Sequence, residues 1–175
     1  MIDRYQLKPT DLPTAKHFFA WLNIVGNSAV GRPLTDGAWS FLGPFEYYRN
    51  RRSEYISAHV DAHEYRRPAL DPEFHSARVA VFVALEGEVL LQYGQSNLIK
   101  VDSHQLCISR TDTELRLVAP HAARFAVIRF DPSVLLLSSI FDTSRPAIGL
   151  ETPPRIRELL LGLIADLRIV FGEED

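Results

Sequence analysis

The sequence predicts a mainly-β fold, a closed antiparallel barrel or sandwich with a helix ahead of it and a pair of helices behind. Three observations carry that expectation. Short apolar strands recur at intervals of roughly 8–12 residues through the middle of the chain. Hydrophobicity there alternates with a period of two. Helical spacing is confined to the two ends. With 175 residues, 46% hydrophobic and 23% charged, the chain is sized for one domain, and a chain of this length buries roughly 70% of its extended surface, enough to hold a core without disulfides. The expected division is 1–54 as helix and arm, 55–131 as barrel and 132–172 as helices.

Thr10, Asp11 and Pro13 can start a helix, and Phe18, Trp21, Leu22 and Val25 follow at helical spacing, so a short amphipathic helix is expected within Thr10 to Asn27. From Gly26 to Pro44 the density of glycine and proline predicts a long loop or arm. Tyr55 to His63 then alternates, with Ile56, Ala58, Val60 and Ala62 on one face and Tyr55, Ser57, His59, Asp61 and His63 on the other, which predicts a strand with two unlike faces. After the break at Pro68 to Pro72, Val79 to Leu85 and Val89 to Tyr93 form a hairpin around Glu86-Gly87-Glu88. Leu98 to Val101, Gln105 to Ser109, Leu115 to Val118 and Arg124 to Phe130 complete the strands. Asp131 is a plausible N-cap with Pro132 at the first helical position, so Ser133 to Phe141 is expected to be a short helix. A longer one starts near Thr152-Pro153-Pro154 and runs through Ile156, Leu159, Leu160, Leu163, Ile164 and Leu167 toward Phe171.

Composition excludes several classes of function. A net charge of −3 argues against a chain whose main task is to hold nucleic acid, which needs a cationic face. The single cysteine rules out an internal disulfide framework and a zinc site of several thiolates. No apolar run approaches the ~20 residues that span a bilayer, and the first seven residues lack the pattern of a secretory signal, so a cytoplasmic protein without membrane contact is expected.

Catalytic and metal signatures are weak. Cys107 sits between Leu106 and Ile108, an apolar setting that keeps a thiol neutral, and no Gly-x-Ser-x-Gly elbow occurs. Gly26 to Pro33 has the glycine spacing of a phosphate loop, but Arg32 and Pro33 replace the required Lys and Ser/Thr. His59 and His63 are the closest histidine pair, and four residues apart on a strand they lie about 13 Å from one another, too far to share one ion. The run Tyr47-Tyr48-Arg49-Asn50-Arg51-Arg52 reads as a solvated face beside a strand rather than a nucleic-acid contact. No catalytic residue, metal site or cofactor is expected.

Tyr65-Arg66-Arg67-Pro68 ahead of the barrel, Val81 to Val89 in the hairpin and Val127-Ile128-Arg129-Phe130-Asp131-Pro132 leading into a helix carry a resemblance. From about Tyr55 to Leu137 the chain resembles the cupin-like sensor domain at the amino end of AraC/XylS-type bacterial transcription regulators. It departs from that pattern where the usual Pro-Gly-Asp turn reads Val101-Asp102-Ser103-His104. A second departure is length, because such regulators continue into about 100 further residues holding two helix-turn-helix units, through which alone they contact DNA. The chain is then either a sensor fragment or a stand-alone relative unable to bind DNA in that way.

The resemblance implies a jelly-roll-like barrel that binds a small effector inside and dimerises. In the family the arginine of the Arg-Pro pair reaches into the effector pocket, which marks Arg67; the alternative is an outward Arg67 in a surface ion pair. Extending the alternation of His59 and His63 places Tyr65 and Arg67 on their face, giving an aromatic, imidazole-rich and cationic interior. By position, Leu117, Phe125 and Val127 match the family's pocket residues, and with Trp39 on the preceding loop they suit an apolar or aromatic molecule with one anionic end. The final helix pairs with its mate in the family, so Leu160, Leu163, Ile164 and Leu167 are expected either at a homodimer contact or against the barrel. Two rival readings remain open: a metal-dependent cupin enzyme such as a dioxygenase or isomerase, and a barrel that only mediates association.

Overall fold

Period-two alternation builds two antiparallel sheets, and their inward rows form the core. The computed structural model describes residues 3–8, 10–13, 16–17, 20, 30–34, 40–49, 53–69, 79–131 and 145–173. Within them run β1 (Asp3–Leu7), β2 (Val30–Pro33), β3 (Phe45–Arg49), β4 (Ser53–Val60), β5 (His63–Arg67), β6 (Val79–Glu86), β7 (Val89–Tyr93), β8 (Ile99–Val101), β9 (Gln105–Arg110), β10 (Leu115–Ala119), β11 (Ala123–Phe130), β12 (Ala147–Glu151) and the helix α1 (Pro154–Glu173). One sheet has seven strands in the order β1-β3-β4-β11-β6-β9-β12, and the other has five in the order β2-β5-β10-β7-β8.

The closed barrel expected from the strand spacing is corrected to a two-sheet sandwich. Among the described residues no ladder joins the sheets, although β8 lies close to β9 and β12. The core between them collects Phe45, Ile56, Ala58, Val60, Tyr65, Phe82, Val89, Leu91, Tyr93, Leu117, Phe125 and Val127 among others. Each inward side chain comes from the buried phase of its strand, as the alternation of β7, buried at Val89, Leu91 and Tyr93, illustrates.

The expected single strand from Tyr55 to His63 is also corrected. It divides at Asp61-Ala62, where the chain leaves β4 in one sheet and enters β5 in the other. Local bonds hold this corner: the Asp61 N–H donates to the Ser40 carbonyl at 3.1 Å and the Ala62 N–H to Asp61 Oδ1 at 2.7 Å. Four strands had no sequence expectation: β1, β2, β3 and β12. Three of these are sheet edges, paired on one side only, where burial on both faces is not required.

Among the described residues α1 is the one helix with described bounds, where a helix ahead of the barrel and a pair behind were expected; Lys16, His17 and Ala20 are also helical, within the segment of the expected first helix. Most of Thr10 to Asn27, and all of Ser133 to Phe141, lie outside the described residues. Helix α1 covers the outer face of the seven-stranded sheet. Ile164 is buried there with Tyr48, Tyr55, Val83 and Ala126, and the Arg157 guanidinium donates to the Ala84 carbonyl at 3.2 Å. No described helix is long and apolar enough to cross a membrane.

Candidate functional site

The register of the two sheets brings a polar row together at one end of an otherwise apolar interior. Across the seven-stranded sheet the residues Arg49, Glu54, Arg129, Ala80 and Ser109 stand opposite one another on consecutive strands. Across the five-stranded sheet the matching row is Arg67, Leu115 and Tyr93. The hairpin alternation explains Tyr93, and the run Phe125, Val127, Arg129 explains the inward arginine of β11.

Arg67 is 2% exposed. Its Nη1 donates to the Thr111 carbonyl at 2.8 Å and its Nη2 to the Thr113 carbonyl at 3.2 Å, which moors the end of β5 to the β9–β10 turn. Its Nε–H is buried without a hydrogen-bond partner, and no described carboxylate lies within ion-pairing distance of it. Burial, aided by the neighbouring Arg129 guanidinium, lowers its pKa to about 10. A buried guanidinium that spends two donors on neutral carbonyls and leaves a third unspent is costly unless something anionic meets it.

The described groups around it do not supply that anion. Glu54 is held by Arg129 at 3.3 Å and by Arg49 at 3.5 Å, and Asp112 is ion-paired with Arg110. Tyr65 and Tyr93 face the same space, and burial raises both phenols above their ordinary value. The Tyr93 hydroxyl approaches Ser109 and Cys107 without a hydrogen bond of normal geometry. Burial pushes the Cys107 thiol up to about 12, so it stays a neutral thiol. Three arginines against one glutamate give this end of the sandwich a positive balance, walled by Leu117, Phe125, Val127 and Phe82.

The residues expected from the sequence therefore separate. Arg67, Tyr65, Leu117, Phe125 and Val127 face the interior. His63 also faces inward and is fully buried, but it stands at the opposite end of β5, about 13 Å from Arg67 along the strand. Its Nδ1 is 3.0 Å from the Asp61 carbonyl, and burial lowers its pKa to about 4. His59 is corrected to the outer face of the seven-stranded sheet, opposite Arg124, because the corner at Asp61-Ala62 resets the phase between β4 and β5. Trp39 lies outside the described residues. Tyr93, Arg129 and Glu54 had no sequence expectation; carrying each strand's alternation one step further would have found them.

On α1, Leu160 is half-buried, Leu163 is exposed and Ile164 is packed on the sheet, while the side chain of Leu167 lies outside the described set. Ile156, Leu159 and Leu163 form an exposed apolar stripe, with Leu159 70% exposed. Among the described residues no group of three or more His, Cys, Asp or Glu side chains is placed to hold a metal ion.

No protein-family model matches the sequence, and no curated protein matches it. Solved structures do match. The AraC-like transcriptional activator CuxR superposes with a TM-score of 0.69 at 12% identity, over 99% of this chain and 63% of that one. AerE from Microcystis aeruginosa reaches 0.45 at 10% identity, over 69% of this chain and 52% of that one. An RmlC-like cupin protein from Desulfovibrio desulfuricans reaches 0.38 at 13% identity, over 60% of this chain and 84% of that one. The expected resemblance to AraC-type regulators is thus shown at the level of the fold, and this chain spans less than two thirds of the activator's length.

Proposed function

We propose that this chain is the effector-sensing and dimerisation part of an AraC-type transcription regulator, and that its effector is a small apolar or aromatic molecule with one anionic end. The single observation that carries the reading is Arg67: a buried guanidinium facing the interior with an unspent Nε–H and no ion-pair partner among the described residues. An effector carboxylate would accept from Nε and from one Nη, while its apolar body lies against Leu117, Phe125 and Val127. Arg129 and the two phenols complete the polar lining. The exposed stripe of α1 at Ile156, Leu159 and Leu163 would pair with a second copy of the chain. DNA contact would belong to a helix-turn-helix region outside this chain.

The test is a thermal-shift screen of small aromatic and aliphatic carboxylates against the protein and its Arg67→Met variant, each compared with its own unliganded midpoint. A ligand at 100 times its Kd adds about 2.7 kcal/mol, a shift of several degrees. A shift in the natural protein that disappears in the variant supports the reading. A shift that survives in the variant removes Arg67 from the site.

A second reading is favoured by one observation. The interior is already occupied by large side chains, among them Tyr93, Phe125 and Leu91. A sandwich that only mediates association predicts no shift with any carboxylate, together with a concentration-dependent mass.

A further inference from the structure

The outer face of the five-stranded sheet carries a second charged cluster, built around Glu64. Glu64 is 1% exposed and lies on the opposite face of β5 from Arg67. Its Oε1 accepts from Arg66 Nε and from Arg116 Nε, each at 2.8 Å, and its Oε2 accepts from Arg32 Nε at 3.0 Å and Arg32 Nη2 at 2.7 Å. These four N–H donors fill the acceptor sites of one carboxylate. Burial alone would raise the Glu64 pKa, but the three guanidiniums hold it down at about 2.

The arrangement breaks a local rule of sheet construction. Arg66 and Arg116 stand directly opposite one another on β5 and β10, where like charges destabilise. One saturated carboxylate offsets one of three arginines, which leaves a surplus of two positive charges. Among the described residues the terminal Nη groups of Arg66 and Arg116 make no hydrogen bond. Together with Gln92, which stands opposite Arg116 on the neighbouring strand β7, and with Gly94 and Glu114, the two arginines line a cleft of about 180 Å³. Both guanidiniums are bonded to Glu64 through Nε, and both side chains stay partly exposed, 56% for Arg66 and 36% for Arg116. With the rim carboxylate of Glu114 counted, the cluster of Arg32, Arg66 and Arg116 with Glu64 keeps one net positive charge.

We infer that this cleft is a second ligand site, for an oxyanion of the phosphate class, held by the Nη edges of Arg66 and Arg116 and pre-organised by Glu64. A tetrahedral oxyanion presents pairs of oxygens that match a guanidinium fork, and two forks fixed by a buried carboxylate pay little ordering entropy on binding. The site faces away from the interior and does not depend on the effector reading.

The test is a calorimetric titration of inorganic phosphate, and separately of glycerol phosphate, at constant ionic strength held with sodium chloride so that screening is not read as binding. The expected result is saturable one-to-one binding. Arg116→Gln and Arg66→Gln should each weaken it about tenfold or more, and Arg116→Lys should weaken it partially by keeping the charge without the fork. Arg67→Met should leave it unchanged, which separates this site from the interior one. Tighter binding of the ester identifies a phosphorylated metabolite as the source, and equal or tighter binding of phosphate identifies the free ion. Thermal unfolding checks that each variant is folded. Absence of saturable binding in the natural protein, or binding unaffected in folded Arg66 and Arg116 variants, would overturn the inference and leave the cluster as a structural ion network.

Discussion

Arg67 and Glu64 are buried charges on the same strand, three residues apart and on opposite faces, and they are compensated in opposite ways. Glu64 is over-supplied with partners, whereas Arg67 has two backbone carbonyls and no counter-charge among the described residues. Replacing Arg67 with methionine should cost about 1–3 kcal/mol in urea unfolding, because the Thr111 and Thr113 carbonyls lose their donors. His63 supplies a pH dependence of definite sign. Its folded-state value of about 4 lies below the ordinary 6.5, so the unfolded chain takes up the proton first. Its share of stability is complete above about pH 6.5 and is lost as pH falls toward 4. Glu64, held at about 2 against an ordinary 4.5, adds a further loss from about pH 4.5 downward. Urea midpoints measured from pH 7 to pH 3 should fall across both windows, and His63→Gln should flatten only the upper one. An unchanged slope in that variant would contradict the assignment. Arg67 was legible in the sequence from its Arg-Pro pair, and its orientation was not, because a period of two gives a face only when the strand's phase is known.

Helix α1 shows at the scale of one element how a broad apolar stripe is shared. Ile164 seals the outer face of the seven-stranded sheet, so Ile164→Ala should lower stability by about 2 kcal/mol or more. Leu163 is exposed, so Leu163→Glu should leave unfolding within about 0.5 kcal/mol while abolishing self-association measured by sedimentation. The helix was readable in the sequence from its spacing, but the division of its leucines between sheet and solvent depends on where it docks. The β6–β7 hairpin was equally readable. Gly87 has φ of +69°, and an added Cβ would meet the Ala122 carbonyl oxygen at 2.8 Å. Gly87→Ala should therefore cost about 1–3 kcal/mol in thermal unfolding. The edge strands β1, β2 and β12 were not legible, since short segments paired on one side need no alternating pattern.

For the whole molecule, the sequence spacing separated a β architecture from other classes, but the barrel expected from it gave way to a sandwich, because long-range pairing decides closure. The corner at Asp61-Ala62 had the largest effect on the site. It moved His59 to the outside while leaving Tyr65 and Arg67 inside, and no local signal announces a change of sheet. The polar interior row then followed from register alone, with Arg129 and Tyr93 arriving from strands that the sequence had already placed. The fold is similar to that of an AraC-like activator over 63% of the activator's chain, and the proposed sensing role stands on the buried Arg67, which has no counter-charge among the described residues. The most direct measurement is a crystal structure of the protein with the strongest carboxylate from the thermal-shift screen. The account predicts the carboxylate against Arg67 Nε, within hydrogen-bond distance, and the body of the ligand against Leu117, Phe125 and Val127. A ligand bound anywhere else, with the Arg67 guanidinium unchanged, would contradict it.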